Sequence, residues 1–330
     1  MKVLADASLP NIDIIFNNNF SLRKYKKLEE VGELILDCNV LLCRSTLKVD
    51  EKLLKNSSCR VVATTTSGID HIDENYLIKN NIQLIDAKGS NADSVCDYVI
   101  SCISYLSLIN KINGKNACII GYGEVGKRLL PRLKSLGFIV SAYDPLLQDK
   151  NYDFNLISKL AKCDLICIHA NLHNSAPFPS FNLFNKDVLS HLKSEAVIIN
   201  ASRGGIVNEA DLLSMKNKII YCTDVYINEP NINSKIIDFA KICTPHIAGH
   251  SKEAKYAGVY QAVEEIYKYF GVEYSFTKSA ELKPVIYFSD LNQEEVLKYY
   301  NPITETNLLK KAKNKKAAFL EFRKSHALLR

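Results

Sequence analysis

Apolar residues fall along this chain in short, nearly unbroken runs, separated by stretches in which they recur at every third or fourth position. An unbroken run reads as a strand buried on both faces, and the wider spacing as a helix with one packed face. In the first third, runs at 2–5, 40–43, 60–63 and 83–85 predict strands, and a helix over 74–79 follows the capping residue Asp73. The stretch 93–108 is apolar around much of its surface and predicts a longer, buried helix. A second series predicts strands at 117–120, 139–143, 165–168, 197–200, 219–224 and 241–243, with helices at 124–136, 155–161 and 209–215. A long helix over 251–270 then returns toward the first series. Beyond Gly271 the periodicity weakens, and the expectations are a strand at 285–288, a helix at 293–299 and a lysine-rich amphipathic helix at 307–329. Strands alternating with helices almost from end to end predict an α/β protein with parallel sheets, and 330 residues leave room for two domains.

Composition narrows the setting. The ten cysteines are scattered and mostly sit inside apolar runs, which reads as reduced, buried side chains. Cys163 and Cys167 have neither CxxC spacing nor a second pair, so no metal site is expected. The N-terminus is already strand-like, and no window approaches the ~18 apolar residues of a membrane span. The expectation is a cytoplasmic protein without a membrane partner. A net charge of +6 is modest, and the lysines at 310, 311, 313, 315 and 316 have no interleaved aromatics, so no nucleic-acid partner is expected.

The first candidate chemistry follows the strand at 117–120. Gly121-Tyr122-Gly123-Glu124-Val125-Gly126 is a GxGxxG turn between a strand and a helix, and Asp144 stands at the end of the next strand. That context is what a dinucleotide site needs. The glycines permit a tight turn, close approach to a pyrophosphate and close helix packing, while the helix N-terminus offers unpaired N–H groups. Asp144 would accept from the ribose hydroxyls and repel a 2′-phosphate, which predicts NAD rather than NADP.

Three further polar residues follow later strands. Arg203 lies in Asn200-Ala201-Ser202-Arg203-Gly204-Gly205, Glu229 precedes Pro230, and His246 lies in Thr244-Pro245-His246-Ile247-Ala248-Gly249. With the glycine turn and Asp224-Val225-Tyr226, these segments resemble the D-isomer-specific 2-hydroxyacid dehydrogenases. The resemblance implies that Arg203 clamps a substrate carboxylate, His246 carries a proton and Glu229 orients the imidazole. It also implies cofactor contacts at Ala170, Ala201, Ser202, Arg203, Asp224 and Gly249. The fold it implies is a Rossmann-type NAD domain over 92–249 and a discontinuous flavodoxin-like substrate domain over 1–91 and 250–275. Residues 276–330 would be an abbreviated dimerisation segment of a homodimer, with the chemistry in a cleft between the domains.

The N-terminal segments around Cys43-Arg44-Ser45-Thr46, Thr66-Ser67-Gly68-Ile69-Asp70 and Gly89-Ser90-Asn91 are similar to one branch of that family. Its substrate is a phosphorylated 2-hydroxy acid on the route to pyridoxal phosphate. Substrate contacts are implied at Arg44, Ser45, Thr66 and His250. The chain departs from that branch at Ala170, where a hydroxyl is usual, at His250, where a tyrosine is usual, and in its shorter tail. The motifs leave open a glycerate- or phosphoglycerate-type activity, and a non-catalytic NAD-sensing role.

Overall fold

The computed structural model describes residues 1–147, 155–215, 219–274 and 287–326. The chain divides into two compact units, Met1–Asn91 with Ser251–Val285, and Ala92–His250 with Ile286–Arg330.

The first unit is built on a parallel sheet of β1 (Lys2–Asp6), β2 (Ser21–Tyr25), β3 (Val40–Cys43), β4 (Val61–Thr64) and β5 (Gln83–Ile85), in the order β2-β1-β3-β4-β5. The runs of β1, β3 and β4 are buried on both faces, and successive residues divide between two cores. Leu4, Leu41, Cys43 and Val62 pack with α1 (Val31–Leu34), α2 (Glu51–Leu54) and α3 (Glu74–Lys79). Strand β2 escaped the sequence reading because it is an edge strand, where only Tyr25 of its five residues is buried.

The second unit has six parallel strands: β6 (Asn116–Ile120), β7 (Ile139–Tyr143), β8 (Leu165–Ile168), β9 (Val197–Asn200), β10 (Ile220–Thr223) and β11 (Ile242–Cys243). Their order is β11-β10-β9-β8-β6-β7. Helices α4 (Ala92–Leu108) and α5 (Glu124–Ser135) pack on the face that carries Ala117, Ile119, Cys167 and Ile199. On the other face lie α6 (Leu156–Leu160), α7 (Lys186–Ser190), α8 (Glu209–Ser214) and α9 (Ser234–Phe239). Helix α10 (Lys252–Tyr269) starts at Ser251, whose hydroxyl accepts the Ala254 N–H at 3.0 Å, and it packs Val259, Val263 and Ile266 against Val3, Val40 and Val61 of the first sheet.

After residue 286 the described chain packs on the second unit. Helix α11 (Gln293–Tyr299) adds Val296 to one core, while α12 (Ile303–Lys311) and α13 (Lys315–Ser325) add Leu309 and Phe319 to the other. Two expectations change here. The strand expected at 285–288 begins outside the described residues, and Phe288–Asp290 forms a 3-10 turn. The single helix expected over 307–329 is two helices, because Asn314 caps a new start by accepting the Ala317 N–H at 3.0 Å; residues 327–329 lie outside the described residues. No described helix is long and apolar enough to cross a membrane.

Both sheets reverse strand order beside their first strand, and in sheets of this kind ligands meet the carboxyl ends of the strands at that point. In the first sheet these ends carry Asp6 and Arg44. In the second they carry the glycine turn and Ala170.

Candidate active site

The glycine turn has the shape a dinucleotide requires. Gly121 has φ +89°, and a Cβ there would lie 2.5 Å from the Ala170 nitrogen. A Cβ on Gly126 would lie 2.3 Å from the Gly121 carbonyl oxygen, so only hydrogen fits under the first turn of α5. At Gly123, by contrast, a Cβ would meet nothing within 4 Å. Gly123 is also the N-cap of the twelve-residue helix α5 and supplies no side-chain cap. Open space in front of uncapped N–H groups fits the pyrophosphate of NAD.

Asp144 closes this turn from the end of β7, its carboxylate accepting the Tyr122 N–H at 2.8 Å and the Leu146 N–H at 3.2 Å. Glu124 pairs with Arg128 at 2.8 Å one helical turn on, and Val125 packs into the core beneath. Across the turn, the Ser202 hydroxyl donates to the Ala170 carbonyl and ties the loops after β8 and β9 together, with Ala201 packed below. The neighbouring His169 imidazole is buried, which pushes its pKa down to about 3 and keeps it neutral.

Glu229 and His246 are brought together by the loops after β10 and β11. His246 Nδ1 lies 2.7 Å from Glu229 Oε2. The other glutamate oxygen accepts the Tyr226 N–H at 2.8 Å. Burial alone would raise the Glu229 pKa, but the His246 hydrogen bond and charge, the Tyr226 N–H and the Arg323 charge outweigh it and leave the carboxyl lowered. Left-handed backbone marks both loops: His246 itself has φ +57°, and Asn228, the residue before Glu229, has φ +62°. Such left-handed residues cost roughly 1–3 kcal/mol each and persist where surrounding structure over-determines them.

Asp224 supplies much of that determination. Its carboxylate is 1 % exposed and accepts from the Thr244 hydroxyl at 2.7 Å, the Ile247 N–H at 2.8 Å and the Ala248 N–H at 2.8 Å. These bonds bracket His246 on both sides. Burial raises the Asp224 pKa against the His246 charge and the three donors. The bonds it makes here hold the histidine turn. Tyr98 of α4 joins the same cluster through its hydroxyl, 2.7 Å from that of Thr244. Gly249 and His250 end this turn, the His250 N–H donating to the Ile247 carbonyl at 2.8 Å.

Arg203 is half-buried after β9, with its guanidinium donating to the Ser202 carbonyl at 2.9 Å. Its loop sits against the glutamate loop, because a Cβ on Gly204 would fall 2.0 Å from the Tyr226 carbonyl oxygen. Tyr226 and Thr244 were not singled out from the sequence. Their motifs were visible, but a buried tyrosine and threonine declare no chemistry until their partners are known.

In the first unit, Arg44 Nε donates to Asp6 Oδ2 at 2.7 Å, leaving the two Nη amines of a half-exposed side chain for other acceptors. Burial raises the Asp6 pKa, but the two Ser8 donors and Arg44 more than offset it and leave it lowered. Thr66 donates to the Gly68 carbonyl at 2.9 Å and meets the Thr64 hydroxyl at 2.8 Å, while Ser45 is exposed. Asp6 and Lys255 were overlooked in the sequence. The Lys255 pKa is lowered by burial and by the like charge of Arg44, and this second cation beside an arginine could serve an anion.

Residues 104–248 match the family model described as D-isomer specific 2-hydroxyacid dehydrogenase, NAD binding domain. That match lies on the sheet bearing the glycine turn and defines the class as an NAD-binding dehydrogenase. Over 329 residues, 99% of this chain and 94% of the relative, the protein is 48% identical to erythronate-4-phosphate dehydrogenase of Legionella pneumophila (strain Lens). It is 35% identical over 281 residues to the protein of the same name from Marinomonas sp. (strain MWYL1), covering 83% of this chain and 74% of that one. The solved NAD+-bound 3-phosphoglycerate dehydrogenase of Entamoeba histolytica shares the fold, with TM-score 0.67 and 22% identity over 84% of this chain and 99% of its own. The chain belongs to the erythronate-4-phosphate dehydrogenase family, within the NAD-dependent D-isomer-specific 2-hydroxyacid dehydrogenases.

Proposed function

We propose that the protein oxidises the C2 hydroxyl of 4-phospho-D-erythronate to 2-oxo-3-hydroxy-4-phosphobutanoate, a step toward pyridoxal phosphate. The observation that carries this reading is the 2.7 Å His246–Glu229 pair, on a chain whose relatives bear that enzyme's name. NAD, when bound, supplies the hydride acceptor. With Glu229 ionised, His246 keeps its proton on Nδ1 and presents the Nε2 lone pair, which takes the proton of the C2 hydroxyl. Glu229 then stabilises the imidazolium without itself being protonated. Arg203 holds the C1 carboxylate in its planar fork and so orients C2. Arg44, with Ser45, Thr66 and His250, is assigned to the phosphorylated end of the substrate, and Asp144 to the ribose of the cofactor.

The test is NADH absorbance with 4-phosphoerythronate, 3-phosphoglycerate, erythronate and glycerate. Preference for 4-phosphoerythronate is expected, and His246→Ala should abolish that turnover while NAD still binds. Preference for 3-phosphoglycerate would replace the assignment, and NAD binding without turnover of any 2-hydroxy acid would favour an NAD-sensing role.

The same reading makes the protein a cytoplasmic homodimer. Ten buried free cysteines suit a reducing compartment, and half-exposed Leu308 and Leu320 on the tail helices suit contact with a second copy. Light scattering of the purified protein tests the dimer; a monomer mass at assay concentration removes it.

A further inference from the structure

We infer that the C-terminal helices α12 and α13 form a positioning element for the Glu229–His246 pair, with Phe319 and Tyr226 as its positioning residues. The inference rests on the proton-transfer role proposed above. Tyr226 bonds Glu229 directly and the turn that carries His246. Its N–H donates to Glu229 at 2.8 Å, and its hydroxyl donates at 2.9 Å to the carbonyl of Thr244, which opens the histidine turn. Its ring is buried, and the Phe319 ring of α13 meets it edge-on with centroids 6.1 Å apart and an interplanar angle of 77°. Phe319 thereby confines the one side chain whose main chain and hydroxyl hold the glutamate and histidine loops.

Helix α12 acts on the histidine side. The Thr306 hydroxyl accepts the N–H of Cys243 at 3.0 Å, and Cys243 is the last residue of β11 before the turn. The Lys310 ammonium donates to the Ala240 carbonyl, at the entrance to the same strand. The two helices are tied to each other inside the protein, where His326 Nδ1 lies 2.9 Å from Glu305 Oε1 and the Tyr300 ring meets the imidazole edge-on at 5.4 Å. Arg323, on the same helix as Phe319, adds a positive charge that favours the ionised glutamate. Aromatic edge contacts and buried hydrogen bonds are short-ranged, so a shift of α13 would pass directly to both loops.

The test uses the full-length protein with Phe319→Ala, Phe319→Leu and Tyr226→Phe. A displacement of about 1 Å at a catalytic group can cost on the order of a hundredfold. Phe319→Ala is therefore expected to lower kcat roughly ten- to a hundredfold while KM for NAD stays within about twofold. Phe319→Leu should recover most of that loss, and Tyr226→Phe should reproduce part of it with Phe319 in place. A second readout needs no turnover: the low-field proton resonance of His246 Nδ1–H, assigned by its disappearance in His246→Ala, should be lost in Phe319→Ala and kept in Phe319→Leu. If Phe319→Ala does not fold, Tyr226→Phe decides by the same two measurements. Folded variants with unchanged kcat and an unchanged resonance would overturn the inference. A wild-type protein inactive on every 2-hydroxy acid would sink the proposed function instead, and the resonance would still decide the positioning role.

Discussion

Replacing Glu229 by glutamine isolates the contribution of one charge, because the two side chains have nearly the same shape. Glu229 accepts two hydrogen bonds in the wild type, from the Tyr226 N–H at 2.8 Å and from His246 Nδ1 at 2.7 Å. A glutamine has one acceptor oxygen and one amide donor for these two positions. If the oxygen faces Tyr226, the NH2 faces Nδ1; the imidazole proton must then sit on Nε2, and the group that should accept the substrate proton is blocked. If the oxygen faces His246, the Tyr226 N–H is left against another donor at a cost of about 1–3 kcal/mol. The first arrangement is therefore favoured, and it is the catalytically wrong one. Positioned acid–base groups contribute about 10²–10⁴-fold, so kcat should fall by that factor, equivalent to ~2.7–5.4 kcal/mol at 1.36 kcal/mol per tenfold. NAD affinity should not change, since neither arrangement reaches the glycine turn. The assay is NADH formation from 4-phosphoerythronate, with NAD binding measured separately by fluorescence. Turnover within a few-fold of wild type would refute the role given to the carboxylate.

Gly123→Ala and Gly126→Ala should separate binding from folding: the first has open space at its Cβ and should fold normally while weakening NAD by roughly tenfold, about 1.4 kcal/mol, by titration. The second drives a Cβ into the Gly121 carbonyl and should lose about 1–3 kcal/mol of stability in denaturant unfolding. Arg44→Ala should lower kcat/KM for the phosphorylated substrate about 10–100-fold and leave unphosphorylated erythronate unaffected, since a hydrogen bond to a charged group is worth about 1.5–3 kcal/mol; equal losses on both would remove Arg44 from phosphate recognition. Glu209 has a pKa raised by burial and by the Glu229 charge, although the Ile227 N–H opposes the shift. A raised folded pKa favours the fold below the unfolded value of about 4.3, and that benefit is lost as pH rises through the folded value. Glu209→Gln, which keeps an acceptor for Ile227, should therefore raise the melting temperature at pH 7 and give a diminishing gain toward pH 4. An equal gain at both pH values would mean the charge is not the cause.

Much of the architecture is legible in the sequence. The run 40–43 coincides with a strand because a strand buried on both faces must be apolar, and the helix at 74–79 starts where Asp73 accepts the Tyr76 N–H as a cap. The glycine turn was equally plain, since its constraint lies within six consecutive residues. Strand β2 was not legible, because an edge strand can be polar. The break at Asn314 was not legible either, because a lysine-rich amphipathic stretch does not say where its helix stops.

The sequence by itself determined which residue types stand after which strands: an arginine, a glutamate and a histidine, each at the carboxyl end of a buried run. Only the tertiary structure decided what they do to one another. Glu229 and His246 meet because β10 and β11 are neighbours in the sheet. The histidine turn is held by Asp224 rather than by anything adjacent to it in the chain, and Tyr226 joins the two loops from a position that carries no chemical signal of its own. The tail, which reads along the chain as a solvated lysine face, packs Phe319 behind that tyrosine. Hydrogen bonds and ring contacts depend on distances of a few ångströms between loops far apart in sequence, and periodicity along a chain carries no information about those distances.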